Sequence, residues 1–461
     1  MKPEPITIGR TKAAQPIQKD QAVIRREVIT LAMPAMGEQL LSMVVGIVHT
    51  FLVGHLGAAP LAAVGLAQQW VMMAVTLFSA IGTGATAMIA RFIGAREPEN
   101  ADRVLRQAML MSAGIGLIVV VLGVSLARPA VMLLGAPDDV VDFSTSYLRV
   151  ASSVLFFSVL MFIGNACLRG AGDTRTPLYV MLVVNVVNVV VAWTAINGPF
   201  GLPQLGVVGS ALGMVAGHLS GGTLVMVLLL RGRSGLKLRL RGLRPDMDLI
   251  RRILRIGLPS GVEQVMMRTG QMFFARILAA LGTLAYAANQ VAINGWSLSF
   301  MPGFGFALAA TTLVGQALGA RDPDDAERRG YTAYRIGAVV MSIVGLLLVL
   351  FPAPIISFFI DDPEVIALGI LPLRTVGLVQ PLLAASMVFA GGLRGAGDTR
   401  FPMVMTASTI WFIRLPLGYL FALVFGWGLA GAWAAMALDM SIRGIGNYLR
   451  WRSGRWKGIE V

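Results

Sequence analysis

The octapeptide Leu168-Arg169-Gly170-Ala171-Gly172-Asp173-Thr174-Arg175 occurs twice in this chain, letter for letter. The second copy is Leu393-Arg394-Gly395-Ala396-Gly397-Asp398-Thr399-Arg400. The offset, 393 − 168 = 225, recurs along the chain. Gly94-Ala95-Arg96-Glu97-Pro98 answers to Gly319-Ala320-Arg321-Asp322-Pro323. Pro34, Glu38 and Gln39 answer to Pro259, Glu263 and Gln264, and Gly206 answers to Gly431. One register holds from near residue 30 to residue 431 without a net gap. A duplication of that length requires two halves of one plan.

The residues are 56% hydrophobic and only 13% charged, outside the range of soluble domains. Many apolar runs reach about 20 residues, enough to cross a bilayer as helices. Twelve spans are expected, near 28–53, 60–88, 107–127, 145–166, 177–197, 206–230, 256–280, 283–313, 331–355, 365–390, 402–425 and 427–447. Six per half is an even number, so both halves cross in the same sense. The expected fold is an all-α membrane protein: twelve transmembrane helices in two six-helix lobes related by a pseudo-two-fold axis along the membrane normal. Residues 1–27 form an amino-terminal segment without a cleavable signal, 28–230 the first lobe, 231–255 a basic linker, 256–447 the second lobe and 448–461 a tail.

Orientation follows from lysine and arginine. Lys2, Arg10, Lys12, Lys19, Arg25 and Arg26 precede the first span. The linker carries Arg231, Arg233, Lys237, Arg239, Arg241, Arg244, Arg251, Arg252 and Arg255, and the tail carries Arg450, Arg452, Arg455 and Lys457. The opposite loops hold Asp138, Asp139, Asp142, Asp361, Asp362 and Glu364. The positive-inside rule puts both termini and the linker in the cytoplasm, with the chain multi-pass in the cytoplasmic membrane. It also explains the net charge of +14 without a nucleic-acid partner. The alternation Leu236-Lys237-Leu238-Arg239-Leu240-Arg241 suggests a surface segment on anionic headgroups.

Several chemistries are excluded. Cys167 is the sole cysteine, and His49, His55 and His218 are widely spaced, so neither a metal cluster nor an enzyme's nucleophile constellation is offered. A Gly-Lys-Ser/Thr phosphate loop is missing from the duplicated motif. No cofactor and no ATP are expected. An ion channel would need pore-lining repeats, usually in an oligomer, whereas this duplicated chain suits a monomer.

In the duplicated loops, the glycines permit tight turns and Asp and Thr can bond the exposed amides of the next helix. Arg169, Gly170, Asp173 and Arg175, with Arg394, Gly395, Asp398 and Arg400, therefore read as fixing helix ends, with a cytoplasmic gate as the second reading. The Gly-Ala-Arg loops read the same way. These loops resemble a hallmark of the multidrug and toxic compound extrusion (MATE) family. So do Val53-Gly54-His55-Leu56-Gly57 and the Trp411, Arg414, Pro416 series. The resemblance spans roughly residues 25–450. It implies a two-lobed antiporter exporting organic, often cationic, compounds in exchange for protons or sodium.

Charged groups inside spans are costly and are functional candidates. Glu38 and Glu263 occupy duplicated positions about ten residues into their helices, roughly 15 Å along the axis. Arg268 stands about one turn from Glu263 and could pair with it. Asp439 has Arg443 one turn on and Arg414 in the preceding span. The resemblance brings departures. Many relatives have an aspartate before this threonine of span one, and here the tripeptide is Val48-His49-Thr50. Histidine titrates near neutral pH but is a poor ligand for sodium, a hard cation. Some relatives carry an Asn and, four residues on, an Asp in span five. Here Asn185 and Asn188 are present, and the later position is Ala192. His49, Glu38, Glu263, Asn185, Asn188 and Asp439 are thus the ion-coupling candidates. Gln68, Gln69, Trp70, Met73, Gln264, Gln271, Gln290, Asn294, Met301 and Phe304 are the substrate-cavity candidates, because thioethers adapt to varied ligands and aromatic faces attract cations. Met301-Pro302-Gly303-Phe304-Gly305 is expected to interrupt span eight. The expected function is proton-coupled export of amphipathic, cationic organic compounds by alternating access. Sodium coupling and a lipid-linked oligosaccharide flippase are the alternatives.

Overall fold

Inside a bilayer every backbone polar group must be satisfied within the protein, so long apolar runs become helices. The computed structural model describes residues 20–133, 138–198, 203–240 and 244–459. Lys2, Arg10, Lys12, Lys19 and Arg241 lie outside the described residues. The first half comprises α1 (Gln21–Gly54), α2 (Ala58–Gly94), α3 (Pro98–Ser125), α4 (Ala127–Leu133), α5 (Asp138–Ser153), α6 (Leu155–Gly170), α7 (Arg175–Asn197) and α8 (Gly206–Arg231). The second comprises α9 (Met247–Ala279), α10 (Thr283–Gly319), α11 (Pro323–Leu350), α12 (Pro352–Ser357), α13 (Pro363–Leu378), α14 (Gln380–Gly395), α15 (Arg400–Thr409), α16 (Leu415–Tyr419) and α17 (Gly428–Arg452).

Among the described residues, eight helical stretches are long and apolar enough to cross a membrane unaided. Two bent pairs, α5 with α6 (51°) and α13 with α14 (54°), raise the number to ten. The bends fall at Val154 and Val379, again 225 apart (379 − 154). The remaining two long helices are α9, with Glu263, Arg268 and Arg276, and α17, with Asp439 and Arg443. Charges set inside a span lower its apolarity, which is why these two need the other ten for context.

Span eight departs from expectation. α10 runs unbroken through Pro302. The two glycines beside it serve packing: a Cβ on Gly303 would lie 2.5 Å from Met387 Sδ, and one on Gly305 would lie 2.8 Å from the Ala32 carbonyl of α1. Irregularity falls instead in span eleven, where Ile410–Arg414 and Leu420–Val424 are π-helical on either side of α16. Pro416 lacks the N–H that would bond the carbonyl four residues back, and the wide turn absorbs that loss.

Among the described residues, the cores shared by the two halves lie toward one end. Cores that cross between them join Ile24, Val28, Leu31 and Ala32 of α1 to Phe306, Ala309 and Leu313 of α10, and Ile81, Ala85 and Met88 of α2 to Leu249, Ile253 and Ile256 of α9. The other large cores each stay within one half, around Val64, Tyr147 and Leu148 in the first and around Met341, Trp433 and Met436 in the second. The contact between halves obeys the duplication. A Cβ on Gly94 would fall 1.9 Å from the Gln316 carbonyl, and one on Gly319 would fall 2.0 Å from the Arg91 carbonyl. Residues 91 and 94 correspond to 316 and 319, so the two close approaches are images of each other across the pseudo-two-fold axis. Gly315 abuts Ala90, its own counterpart.

The linker alternation has a different cause from the one expected. Leu236 and Leu238 are buried in the core of the first half, while the Lys237 amide donates to Asp102 Oδ1 (2.7 Å) and Arg239 faces Asp102. A period of two turned the leucines onto protein rather than onto lipid.

Candidate functional site

The duplicated loops sit at the end where the halves touch. Gly172 (φ +92°) and Gly397 (φ +87°) take a backbone conformation that side chains disfavour. A Cβ on Gly170 would meet the Thr86 carbonyl at 2.7 Å, and one on Gly395 the Thr311 carbonyl at 2.1 Å. Asp173 Oδ1 accepts from the Thr176 amide (2.9 Å), capping α7, and its Oδ2 accepts from Thr176 Oγ1 and Ser234 Oγ (each 2.6 Å). Burial pushes the Asp173 carboxyl upward, but the bonds from Ser234 and Thr176 and the charge of Arg233 outweigh it and hold the group below the usual carboxylate range. Asp398 instead accepts from Arg450 Nε at 2.7 Å. Arg175 and Arg400 point outward and are exposed.

The loop arginines reach into the membrane-side carboxylates. Arg169 Nη1 donates to Glu38 at 3.1 Å, and Arg394 Nη2 donates to both oxygens of Glu263 at 2.8 Å, where Thr406 Oγ1 also donates. Each pair is separated by 131 residues. The equal spacing follows from the duplication, so the two pairs are images of each other. The Arg268 partnership expected for Glu263 does not form, since Arg268 is exposed and Glu263 turns toward α14. Across the axis, Thr312 Oγ1 of α10 donates to the Arg169 carbonyl (2.9 Å), tying the first duplicated loop to the second half.

A third ionic group lies wholly within the second half. Asp439 is fully buried and is held between Arg414 (2.5 Å) and Arg443 (2.7 Å). The π-turn that ends at Arg414 brings its guanidinium onto Asp439 and over the Phe274 ring, 5.9 Å from its centroid. In the first half the register puts Met214 opposite Asp439, so the duplication does not extend to this cluster.

His49 joins α1 to α8: its Nε2 lies 2.9 Å from Ser210 Oγ. Ser210 gave no signal in the sequence. Asn185 and Asn188 are buried on α7, where Gly213 and Gly217 let α8 approach closely. Asn185 Nδ2, Asn188 Oδ1 and His218 Nδ1 are buried there without a hydrogen-bond partner.

The cavity candidates divide. Trp70 is half-buried, its Nε1 donating to the Ala130 carbonyl (3.2 Å), so its indole braces α4. Gln68, Gln264 and Met301 are half-buried, whereas Gln69, Met73, Gln271, Gln290, Asn294 and Phe304 are exposed. These residues lie on α2, α9 and α10, mostly in the parts beyond the cores that join the halves. No hydrogen bond among the described residues occupies the side chains of Gln69, Gln271, Gln290 or Asn294. Unpaired amides cannot be left in hydrocarbon cheaply, which makes this face the candidate lining of a cleft between the halves. Among the described residues there is no group of His, Cys, Asp and Glu able to hold a metal ion.

The MatE family model matches residues 34–194 and again 259–420, once per half. The chain belongs to the MatE family. A probable multidrug resistance protein NorM of Thermotoga maritima is 34% identical over 441 residues, covering 95% of this chain and 94% of the relative. A multidrug resistance protein NorM of Burkholderia vietnamiensis is 28% identical, with 96% of each chain covered. Among solved structures, a MATE family multidrug resistance transporter of the MOP superfamily in an outward-facing conformation superposes with a TM-score of 0.85 at 24% identity, covering 95% of this chain and 98% of its own. A MOP superfamily transporter from Pyrococcus furiosus gives 0.86 at 24% identity, covering 95% and 98%. The protein is therefore a transporter of this family and an integral membrane protein, with twelve helices in two lobes, and not an enzyme.

Proposed function

We propose that this transporter exports amphipathic organic compounds in exchange for protons, with His49 as the coupling group. The observation that carries the reading is the His49–Ser210 contact. Every membrane-embedded carboxylate described here is already neutralised: Glu38 by Arg169, Glu263 by Arg394, and Asp439 by two arginines. The imidazole of His49 bears on another helix and faces no ion pair. Taking up a proton there makes both ring nitrogens donors, so Ser210 Oγ must then act as the acceptor and a positive charge is placed at the contact between α1 and α8. Sodium, which wants several oxygens, finds a poor set at this position.

The asymmetric packing supports alternating access. By the positive-inside rule the joined end faces the cytoplasm, so the cleft opens outward, and the Glu38–Arg169 and Glu263–Arg394 pairs act as cytoplasmic gate latches. The exposed Phe273, Phe304, Met272 and Met73 suit amphipathic cations. Arg268, mid-span and unpaired, admits amphipathic anions too.

The test is ethidium transport into inside-out vesicles under an imposed proton gradient in sodium-free buffer. Transport is expected in the parent protein and in Glu38→Gln, and is expected to be uncoupled from the gradient in His49→Ala. Transport that requires sodium, or that survives unchanged in His49→Ala, refutes the coupling assignment.

A further inference from the structure

At the joined end of the second lobe, a groove of about 710 Å³ runs between the first turns of α9 and the start of α15. Two chemistries line it in sequence. Arg251, Arg255 and Arg400 stand at the level of the linker and of the duplicated loop, while Leu254, Leu258, Val262 and Met403 continue along the helices toward the membrane interior. From Arg251 to Val262 is eleven residues, roughly 17 Å of helix and close to the thickness of one hydrocarbon leaflet.

The three arginines differ from their neighbours. Arg169, Arg233, Arg329, Arg394 and Arg450, at the same end of the protein, all hold carboxylates. Arg251, Arg255 and Arg400 make no hydrogen bond or ion pair among the described residues, and all three are exposed. The nearest acids in sequence are Asp398, Asp246 and Asp248. All three lie outside the groove lining, with Asp398 engaged by Arg450 and Asp246 by Arg103. Three uncompensated guanidinium groups thus head an apolar trough.

The first lobe supplies an internal comparison. Subtracting 225 turns Arg251, Arg255, Arg400, Met403 and Val262 into Arg26, Thr30, Arg175, Leu178 and Gly37. The central cation is gone. Leu178 also leans on the glycine, 3.3 Å from where a Cβ would sit, and takes up that space. The shared plan of the two lobes would give two equal grooves, but Thr30 and Leu178 make the first-lobe counterpart less cationic and narrower.

We propose that this groove binds one anionic phospholipid of the leaflet on the linker side. Its phosphate lies among Arg251, Arg255 and Arg400, and one acyl chain lies along Leu254, Leu258 and Val262. Guanidinium forks suit phosphate oxygens, and the leaflet supplies the ligand at high local concentration. The bound lipid would bridge α9, which leads out of the linker, and α15, which leads out of the duplicated loop. This site is independent of the coupling reading and of the outward cleft.

The experiment uses the purified full-length protein and two probes with identical chains, phosphatidylglycerol and phosphatidylcholine, with retention read by native mass spectrometry. The intact protein is expected to retain one phosphatidylglycerol in preference to phosphatidylcholine. Arg251→Gln with Arg255→Gln is expected to weaken it by about thirtyfold, at about one decade per 1.4 kcal/mol and about 1 kcal/mol per basic group. Arg26→Gln, at the first-lobe counterpart, is expected to leave retention unchanged. Val262→Trp keeps every charge, fills the apolar end and is expected to weaken phosphatidylglycerol as well, which covers a failure of the double variant to fold. Equal retention of the two lipids, or full retention in both the double variant and Val262→Trp, overturns the proposal. Displacement of the lipid by millimolar inorganic phosphate overturns it too, because the site would then be one for free phosphate.

Discussion

Adding one methyl group to Gly94 or Gly319 should drive the joined end of the two lobes apart. A Cβ at position 94 would sit 1.9 Å from the Gln316 carbonyl, and contacts under 3.0 Å are essentially never seen, so the backbones must separate by at least 3.0 − 1.9 = 1.1 Å. The opposing group is backbone on both sides of the axis, so no side chain can swing away. Overpacking of this kind costs about 1–3 kcal/mol. The cost falls only on the state in which α2 and α10 touch. It therefore shifts the balance between the state seen here and one open at the linker end by about fivefold to about 150-fold per substitution. Gly94→Ala and Gly319→Ala relieve the same contact from its two symmetric sides, so the double variant should shift less than the sum of the singles. The assay is spin-label distance measurement between Glu99→Cys and Asp324→Cys, exposed counterparts one turn beyond the contact, in a Cys167→Ala background. A longer, newly populated distance in Gly94→Ala is the expected result. An unchanged distance distribution in a variant that melts like the parent would refute the reasoning, since the lobes would then tolerate the wedge without opening.

Other expectations follow from individual contacts. Asp439→Asn leaves Arg414 and Arg443 buried without their shared carboxylate and should cost about 3–5 kcal/mol. Denaturation in detergent measures this, and a loss under about 1 kcal/mol would mean the cluster is neutralised by something other than Asp439. Replacing Gly397 by Ala forces a side chain into φ +87° and should cost about 1–2 kcal/mol, whereas Gly46→Ala, on an open helical face, should not destabilise. Asp173 is held below its ordinary carboxylate value in the folded protein, so its contribution to stability is present above the unfolded-state value of about 4. That contribution is lost as pH falls through the folded value. Asp173→Asn should flatten the acid limb of the melting-temperature profile and lower stability at neutral pH, and parallel profiles for the two proteins would count against the Asp173 network.

Much of the architecture was legible without coordinates because it depends on local chemistry. A bilayer requires about 20 apolar residues per helix, and an exact repeat requires equal halves, so the number of spans and their order follow from counting. The helix-end role of the Asp173 loop was legible for the same reason: glycines at positive φ and an Asp three residues before a helical amide act within a few residues. What required the tertiary structure were pairings over long sequence separations. Arg268 stands one turn from Glu263, yet Arg394, 131 residues away, holds that carboxylate, because α14 packs where the α9 side chain points and Arg268 does not. Pro302 looked like a break, but glycines on its flanks let neighbouring helices close over it and α10 stayed whole, while Pro416 lies between two π-turns. The end at which the halves pack together, and the charged groove of the second lobe, could not be read from a repeat. A repeat specifies what each half shares. The relative placement of the halves, and the few side chains at which they differ, decide which surfaces meet and which stay exposed.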